Sequence, residues 1–398
     1  MATTTLFPPT RDEGLRRLSE FAPRAGRAYA DGRNADLGPD DRLATSVLSP
    51  YLRRRLITER EVIATILDRH DFADAGKYVE EVSWRTYWKG WLEMRPEAWR
   101  RFTEERDEVR AGFKGTRDLD RAEAGATGID GFDDWACELV EFGYLHNHAR
   151  MWFASIWIFT LRLPWTLGAD FFMRHLIDAD PASNTLSWRW VAGLQTAGKT
   201  YLATADNIAR NTGGRFSPVG LATSASALTE APLPAPFTLP RTANHDAGRP
   251  TLLLVTPEDM HPESVFPHRP SFAGALVVSA IAGDGDKSGR FVAAAAEDTA
   301  ARVRAHFDCP TGIAGALDAD RLLAAATEAG ASAIAAPYTP VGPVADALAT
   351  AAATLEHSGV DLFQVRRSWD ERFWPHTRKG FFAFRKELRP VLAEEGLC

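Results

Sequence analysis

The sequence predicts an α plus α/β protein: a large all-helical domain over residues 1–220, a linker over 221–250 and a smaller α/β domain over 251–398. Three observations carry this expectation. From Glu61 to Arg110 and from Asp133 to Leu163, apolar residues rich in Trp, Phe and Leu recur three and four apart, the spacing of buried amphipathic helices. Between 221 and 250 the composition turns to Ala, Ser, Thr and Pro, as in Leu233-Pro-Ala-Pro-Phe-Thr-Leu-Pro240, which favours an extended connector. Beyond it, short β-branched apolar runs alternate with helix-like segments.

In order, Thr251–Val255 and Gly274–Ser279 read as strands and Ala293–Phe307 as a helix. Arg321–Ala329 and Pro343–His357 read as further helices, with strands at Ala333–Ala336 and Leu362–Val365. This alternation predicts a small parallel or mixed sheet.

A chain of 398 residues with 45% apolar content can bury two ordinary cores. Its net charge of −7 gives no whole-molecule attraction to DNA, so any such contact requires a local basic patch. Cys137, Cys309 and Cys398 are scattered and lack the paired spacing of a zinc or iron–sulfur site. Met1-Ala-Thr-Thr-Thr-Leu-Phe-Pro-Pro9 has no basic stretch followed by an apolar run, and the longest apolar run, Met151–Leu161, is too short to cross a bilayer. A cytoplasmic, monomeric protein is the expectation.

Two stretches concentrate the chemistry: Tyr144-Leu-His-Asn-His-Ala-Arg-Met151, and Ile177-Asp-Ala-Asp-Pro-Ala-Ser-Asn-Thr-Leu-Ser-Trp-Arg-Trp190. Asn147 and Arg150 are three apart, so a continuous helix puts an amide and a guanidinium on one face. Such an Arg can stabilise a reduced, anionic aromatic ring, and Asp178 and Asp180 can accept from a ring N–H or a ribose hydroxyl. Upstream, Asp41-Arg-Leu-Ala-Thr-Ser-Val-Leu-Ser-Pro-Tyr51 offers hydroxyls and backbone donors before a helix, a phosphate cradle or an ordinary cap. In Glu80-Glu-Val-Ser-Trp-Arg-Thr-Tyr-Trp88, Glu81 and Arg85 stand at ion-pair spacing on a helix. His146-Asn147-His148 spells a nuclease motif but falls in a continuous helical pattern, and Gly283-Asp-Gly-Asp-Lys-Ser-Gly289 carries acids that would repel phosphate.

Taken in order, these motifs resemble the flavin pocket of the photolyase/cryptochrome family. The resemblance implies that FAD is the cofactor, with Asn147, Arg150, Asp178, Asp180 and Arg85 around the flavin. Thr45, Ser46, Val47, Leu48 and Ser49 match the loop that binds its pyrophosphate. Tyr29 matches a flavin contact, Asn184 the residue facing flavin N5, Trp188 the flavin-proximal electron donor and Trp165 the second donor. Glu81, Trp84, Met151 and Trp190 match the pocket for a flipped pyrimidine dimer, while Arg33 and Arg189 are expected on DNA phosphates. Damaged DNA is therefore the implied partner, and a deoxyribodipyrimidine photolyase driven by blue light the implied activity. A cryptochrome-like photoreceptor is the alternative, and a light-independent flavin or nucleic-acid module a third reading.

Departures from the family pattern are specific. Ala122 stands where the third, surface Trp is expected, leaving Trp157, Trp135 or a Tyr to end the electron chain. Gly198-Lys-Thr-Tyr-Leu-Ala-Thr-Ala-Asp-Asn-Ile208 replaces the family's segment after Trp190. The family's α/β antenna domain precedes its helical part, whereas here the order is reversed. Leu252–Glu263 and Trp374–Phe384 are faintly similar to the ends of that domain, so a relocated antenna-like domain with an unnamed pigment is expected.

Overall fold

The computed structural model describes residues 6–113, 116–239, 242, 248–281, 283 and 285–398. Pro240, Arg241 and residues 243–247 of the predicted connector, and Asp284 of the Gly-rich stretch, lie outside the described residues.

Helices dominate up to Asn211. Local rules start several of them: Thr58 caps Glu59–Leu67 through a reciprocal capping box with Glu61, and Asp180 caps a helix that opens on Pro181. Five helices position the site: α1 (Ser49–Arg53), α2 (Phe72–Glu93), α3 (Asn147–Ser155, continued by a π turn at Ile156–Thr160), α4 (Trp165–His175) and α5 (Pro181–Val191). The expected continuous helix through Tyr144–Met151 is corrected: α3 begins at Asn147, and His146 is its cap, its Nδ1 accepting from the backbone N–H of His148.

The α/β part contains five strands, β1 (Thr251–Val255), β2 (Gly274–Val278), β3 (Thr311–Ala314), β4 (Ala333–Pro337) and β5 (Asp361–Val365). They form one sheet in the order β3-β2-β1-β4-β5, every pairing parallel. β3 escaped the sequence reading because its residues are half exposed and its composition, Thr-Gly-Ile-Ala, is not strand-like. Alternation along β1 sends Leu253 and Val255 to one face and Leu252 and Leu254 to the other. The first face shares an apolar core with the helical part, and the second packs on the helices Ala319–Glu328 and Pro343–His357. Burial on both faces explains why β1 reads as an unbroken apolar run.

The two parts are joined more tightly than a boundary at 221–250 predicts. Residues 221–239 form no regular element, as expected, yet they are strapped down: the N–H of Leu228 donates to Ala192 O, and Arg101 donates to Ala231 O. After β5 the chain returns to the helical part through Ser368–Phe373, a tight turn at Trp374–Arg378 and helix α6 (Phe381–Glu394). Gly90 in α2 admits Trp374, since a Cβ there would lie 2.7 Å from the indole Cδ1.

Charge fixes the same junction. Arg53, Arg54 and Arg55, a run from the helical part, are at most 1% exposed. Arg53 donates both guanidinium arms to Glu258 at 2.6 and 2.7 Å, and Arg55 does the same to Asp370 at 2.8 Å. Arg367 clamps Asp259. Burial alone would raise the pKa of Asp259, but the guanidinium of Arg367, helped by Arg55, brings it down to about 2.

A carboxylate held below its unfolded value stabilises the fold above the ordinary value near 3.8 and loses that contribution as pH falls through its folded value. The thermal midpoint should therefore be steady above about pH 5 and drop steeply between about pH 4 and pH 2. Glu258→Gln should cost about 3–5 kcal/mol in chemical unfolding by stranding Arg53, and Arg53→Met with Glu258→Leu should cost less than either single change. Equal costs for single and double variants would contradict a mutually compensating pair.

Candidate active site

The helical part encloses a cavity of about 560 Å3, within the usual range for small-molecule sites. Tyr29, Arg33, Thr45, Ser46, Ser49, Glu81, Trp84, Arg85, Asn147, Arg150, Met151, Asp178, Asp180, Asn184, Trp188 and Trp190 all line it. Sequence positions more than 160 residues apart thus converge on one space, as the motif order implied.

Its polar wall is built as a layered ion network. Arg150 Nη2 donates to Asp178 at 3.2 Å while its Nε is held by Leu145 O, and Arg85 Nη1 donates to Asp180 at 2.8 Å. Burial opposes ionisation of both acids; for Asp178 the guanidinium of Arg150 outweighs it, and for Asp180 the guanidinium of Arg85 does so, with Lys89 and Arg53 behind. Both carboxylates are therefore held ionised, below their ordinary range. Arg85 pairs with Asp180 and not with Glu81, so the four-residue spacing marked a shared helix face only.

Trp188 Nε1 is buried without a formed hydrogen bond, and Ser49 stands close enough to Asp178 to help lower its pKa. All three residues line the cavity, and a buried donor such as the indole N–H is costly unless a ligand meets it. Asn184 is fixed by donating its amide to Ala169 O at 2.8 Å. In the hydroxyl-rich segment, Thr45, Ser46 and Ser49 line the cavity, but Val47 and Leu48 do not. Val47 instead adopts φ of +52°, a strained conformation for a β-branched residue that bends the backbone here. The helix it leads into, α1, is only five residues long.

The opposite wall is aromatic. Trp84 is stacked on Phe381 and Trp190 on Tyr201, with ring centroids 3.5 and 5.6 Å apart, and Met151 also lines the cavity. Glu81 faces Arg33 at 3.7 Å; burial raises its pKa, and Arg33 opposes the rise only in part.

Two expectations are corrected. Arg189 is 2% exposed and gives its guanidinium to Glu230 of the connector, so it is not offered to a phosphate. Trp165, expected as the second donor after Trp188, packs its ring on Phe102 at 5.6 Å. Trp188 meets Trp157 edge to face at 6.2 Å, and Gly168 makes room for both indoles, a Cβ there being 2.3 Å from Trp188 Cη2 and 2.9 Å from Trp157 Nε1. Trp135 is sealed against Trp152 and donates to Asp36, and Ala122 is fully buried. Among the described residues no group of His, Cys, Asp and Glu is arranged to hold a metal, and no helix is long and apolar enough to cross a membrane.

Sequence reasoning passed over Arg53, Lys89 and Gly168. Lys89 is 3% exposed, 3.9 Å from Glu258, and burial lowers its pKa. The signal for Arg53 was present, three arginines directly between Leu52 and Leu56, where solvated charge is out of place.

Arg150→Ala should weaken retention of a bound flavin by at least about tenfold, because it strands the buried Asp178, as read by equilibrium dialysis. Unchanged retention would exclude Arg150 from the ligand wall.

Residues 78–216 match the family model for the FAD binding domain of DNA photolyase. The chain is 33% identical over 172 residues to a deoxyribodipyrimidine photo-lyase of Streptomyces griseus, covering 42% of this chain and 35% of that one. It is 30% identical over 191 residues to a protein of the same name from Agrobacterium fabrum, covering 47% and 39%. The matched stretch thus spans well under half of these curated relatives. Among solved structures, a bacterial class III photolyase from Agrobacterium tumefaciens aligns with a TM-score of 0.44 at 28% identity, covering 52% of this chain and 44% of that one. A cryptochrome from Synechocystis sp. PCC6803 aligns with the same score at 21% identity, with the same coverage. Residues 78–216 of this chain are thus similar to the FAD binding domain of DNA photolyase, the family whose motifs the sequence resembles.

Proposed function

We propose that the cavity binds FAD and that the chain is a light-driven lyase splitting cyclobutane pyrimidine dimers in DNA. One observation carries this reading: the polar residues Asn147, Arg150, Asp178 and Asn184 and the apolar residues Trp84, Met151 and Trp190 line one cavity, so a cofactor and a flipped pyrimidine dimer can meet there. FAD, when bound and reduced, supplies a photoexcitable one-electron donor.

The chain's own residues do the rest. Arg150 and Arg85 keep Asp178 and Asp180 ionised, which orients acceptors toward ring N–H and ribose donors. Thr45, Ser46 and Ser49 present hydroxyls toward a phosphate. Trp84 and Trp190 are braced from behind by Phe381 and Tyr201, which keeps both indole planes fixed for stacking against extruded bases. Glu81, protonated more readily than an ordinary carboxyl, can donate to a pyrimidine carbonyl. Trp188, buried beside Trp157, supplies an oxidisable side chain against the cavity.

Burial of Arg189 beneath Glu230 favours one second reading, a photoreceptor of the cryptochrome type, since a phosphate contact expected of a repair enzyme is missing. A dimer-containing oligonucleotide, incubated under blue light with chemically reduced, FAD-loaded protein, separates the two. Restored thymines support the lyase; intact dimers with normal flavin photochemistry support the sensor.

Trp188→Phe should slow light-driven bleaching of oxidised bound flavin by at least about tenfold while leaving repair by pre-reduced protein within about twofold. Parallel loss of both would contradict its placement as donor. Lesion affinity should fall as pH rises through the elevated pKa of Glu81, and Glu81→Gln should flatten that profile; a profile unchanged by the substitution would remove Glu81 from lesion binding.

A further inference from the structure

We propose that the N-terminal end of α6 is a duplex-DNA contact, with Lys379 and Lys386 on phosphates and Phe382 against bases beside the lesion cavity. The lesion in this inference rests on the proposed photolyase function; the contact itself does not.

Position comes first. Phe381 lies flat on Trp84 with an interplanar angle of 9°, Tyr87 Oη donates to Lys379 O at 3.0 Å, and Arg385 Nε meets Glu80 at 2.6 Å. Glu80 adjoins Glu81, and Trp84 and Glu81 both line the cavity. The start of α6 is therefore pinned against the back of a residue that lines the cavity, Trp84, on a helix of 14 residues and not on a loop.

Charge comes second. The chain carries a net −7, yet the stretch from Arg378 to Arg389 holds five cations, Arg378, Lys379, Arg385, Lys386 and Arg389, and one acid, Glu387, with Glu80 of α2 pairing Arg385. Lys379 and Lys386 are exposed and, among the described residues, neither has a carboxylate within ion-pair distance. Elsewhere on this surface arginines are commonly neutralised by acids three or four residues away, as Arg16 is by Glu13 and Arg100 by Glu97. The local positive field is unspent.

The third observation is Phe382, 78% exposed while Phe381 and Phe384 on either side are buried. A lone exposed aromatic is unremarkable. One flanked by free ammonium groups, beside a cavity sized for extruded bases, suits a polyanion with flat apolar faces. Phosphates satisfy the lysines, and a base or sugar covers the ring. The first-turn amides of α6 have no side-chain cap, which adds to the attraction for phosphate. The helical part has lost Arg189 to an internal pair, and this segment restores cationic contact from the far end of the chain.

The experiment uses the full FAD-loaded chain as wild type, Phe382→Ala, and Lys379→Glu with Lys386→Glu. Fluorescence anisotropy with a dimer-containing duplex, and with the same strand single, is read at several salt concentrations. The double charge reversal should weaken duplex binding by at least about tenfold at low salt and reduce the salt slope by about two. Phe382→Ala should weaken duplex binding by about fivefold or more and single-strand binding by less than about twofold, since only the duplex requires unstacking beside the lesion. All three proteins should retain flavin absorbance and repair a saturating single-stranded dimer at the same rate. Wild-type affinity and salt slope in both variants would overturn the inference, as would selective loss of binding to phosphatidylserine vesicles with DNA binding intact. Absence of single-strand repair in all three would overturn the photolyase reading, while the duplex titration would still decide this one.

Discussion

Asp180 is held from both sides: Arg85 reaches it across the cavity wall, and behind it Arg53 stands 3.7 Å away, itself committed to Glu258 of the α/β part. Four buried charges, Asp180, Arg53, Glu258 and Lys89, thus share one desolvated cluster with the half-buried Arg85, and removing any one strands its partners. Most other features of the site depend on it. Asp180 caps α5, and α5 carries Asn184, Trp188 and Trp190. A displacement of Glu258 would reach those three side chains through only Arg53 and Asp180.

This arrangement gives the α/β part a role other than ligand binding at its own sheet. In parallel sheets of this order the usual ligand crevice lies outside the carboxyl ends of the strands where the winding reverses, here between β1 and β4. Both of those ends press on the helical part instead. Glu258 and Asp259 follow β1 and take Arg53 and Arg367, and after β4 Tyr338 Oη and the N–H of Val341 donate to Glu93 of α2. The crevice is used as a mortise joint. The last helix extends the same logic, since Phe381 braces the Trp84 plane from outside.

Much of this was legible in the residues. The spacing of Asn147 and Arg150 and the Asp178-x-Asp180 pair marked residues that line the cavity, and β1, β2 and β4 read as doubly buried apolar runs. Polar side chains packed in the interior were less legible, because burial depends on distant partners. Arg189 looked like a surface cation until Glu230, 41 residues on, covered it. Trp165 matched a motif position, but which indole touches Trp188 was decided by Gly168, whose missing side chain carries no pattern of its own. The return of α6 to α2, a contact across nearly 300 residues, has no counterpart in local composition.

The claim on which the account stands is that this walled cavity is a flavin site. Titration of the purified chain with FAD, followed by flavin fluorescence quenching and absorbance in the dark, tests it most directly. The account predicts saturable uptake of one FAD per chain, with structured absorbance bands that bleach under blue light and external reductant. A folded protein that takes up no FAD, or whose bound FAD is indifferent to blue light, would contradict it.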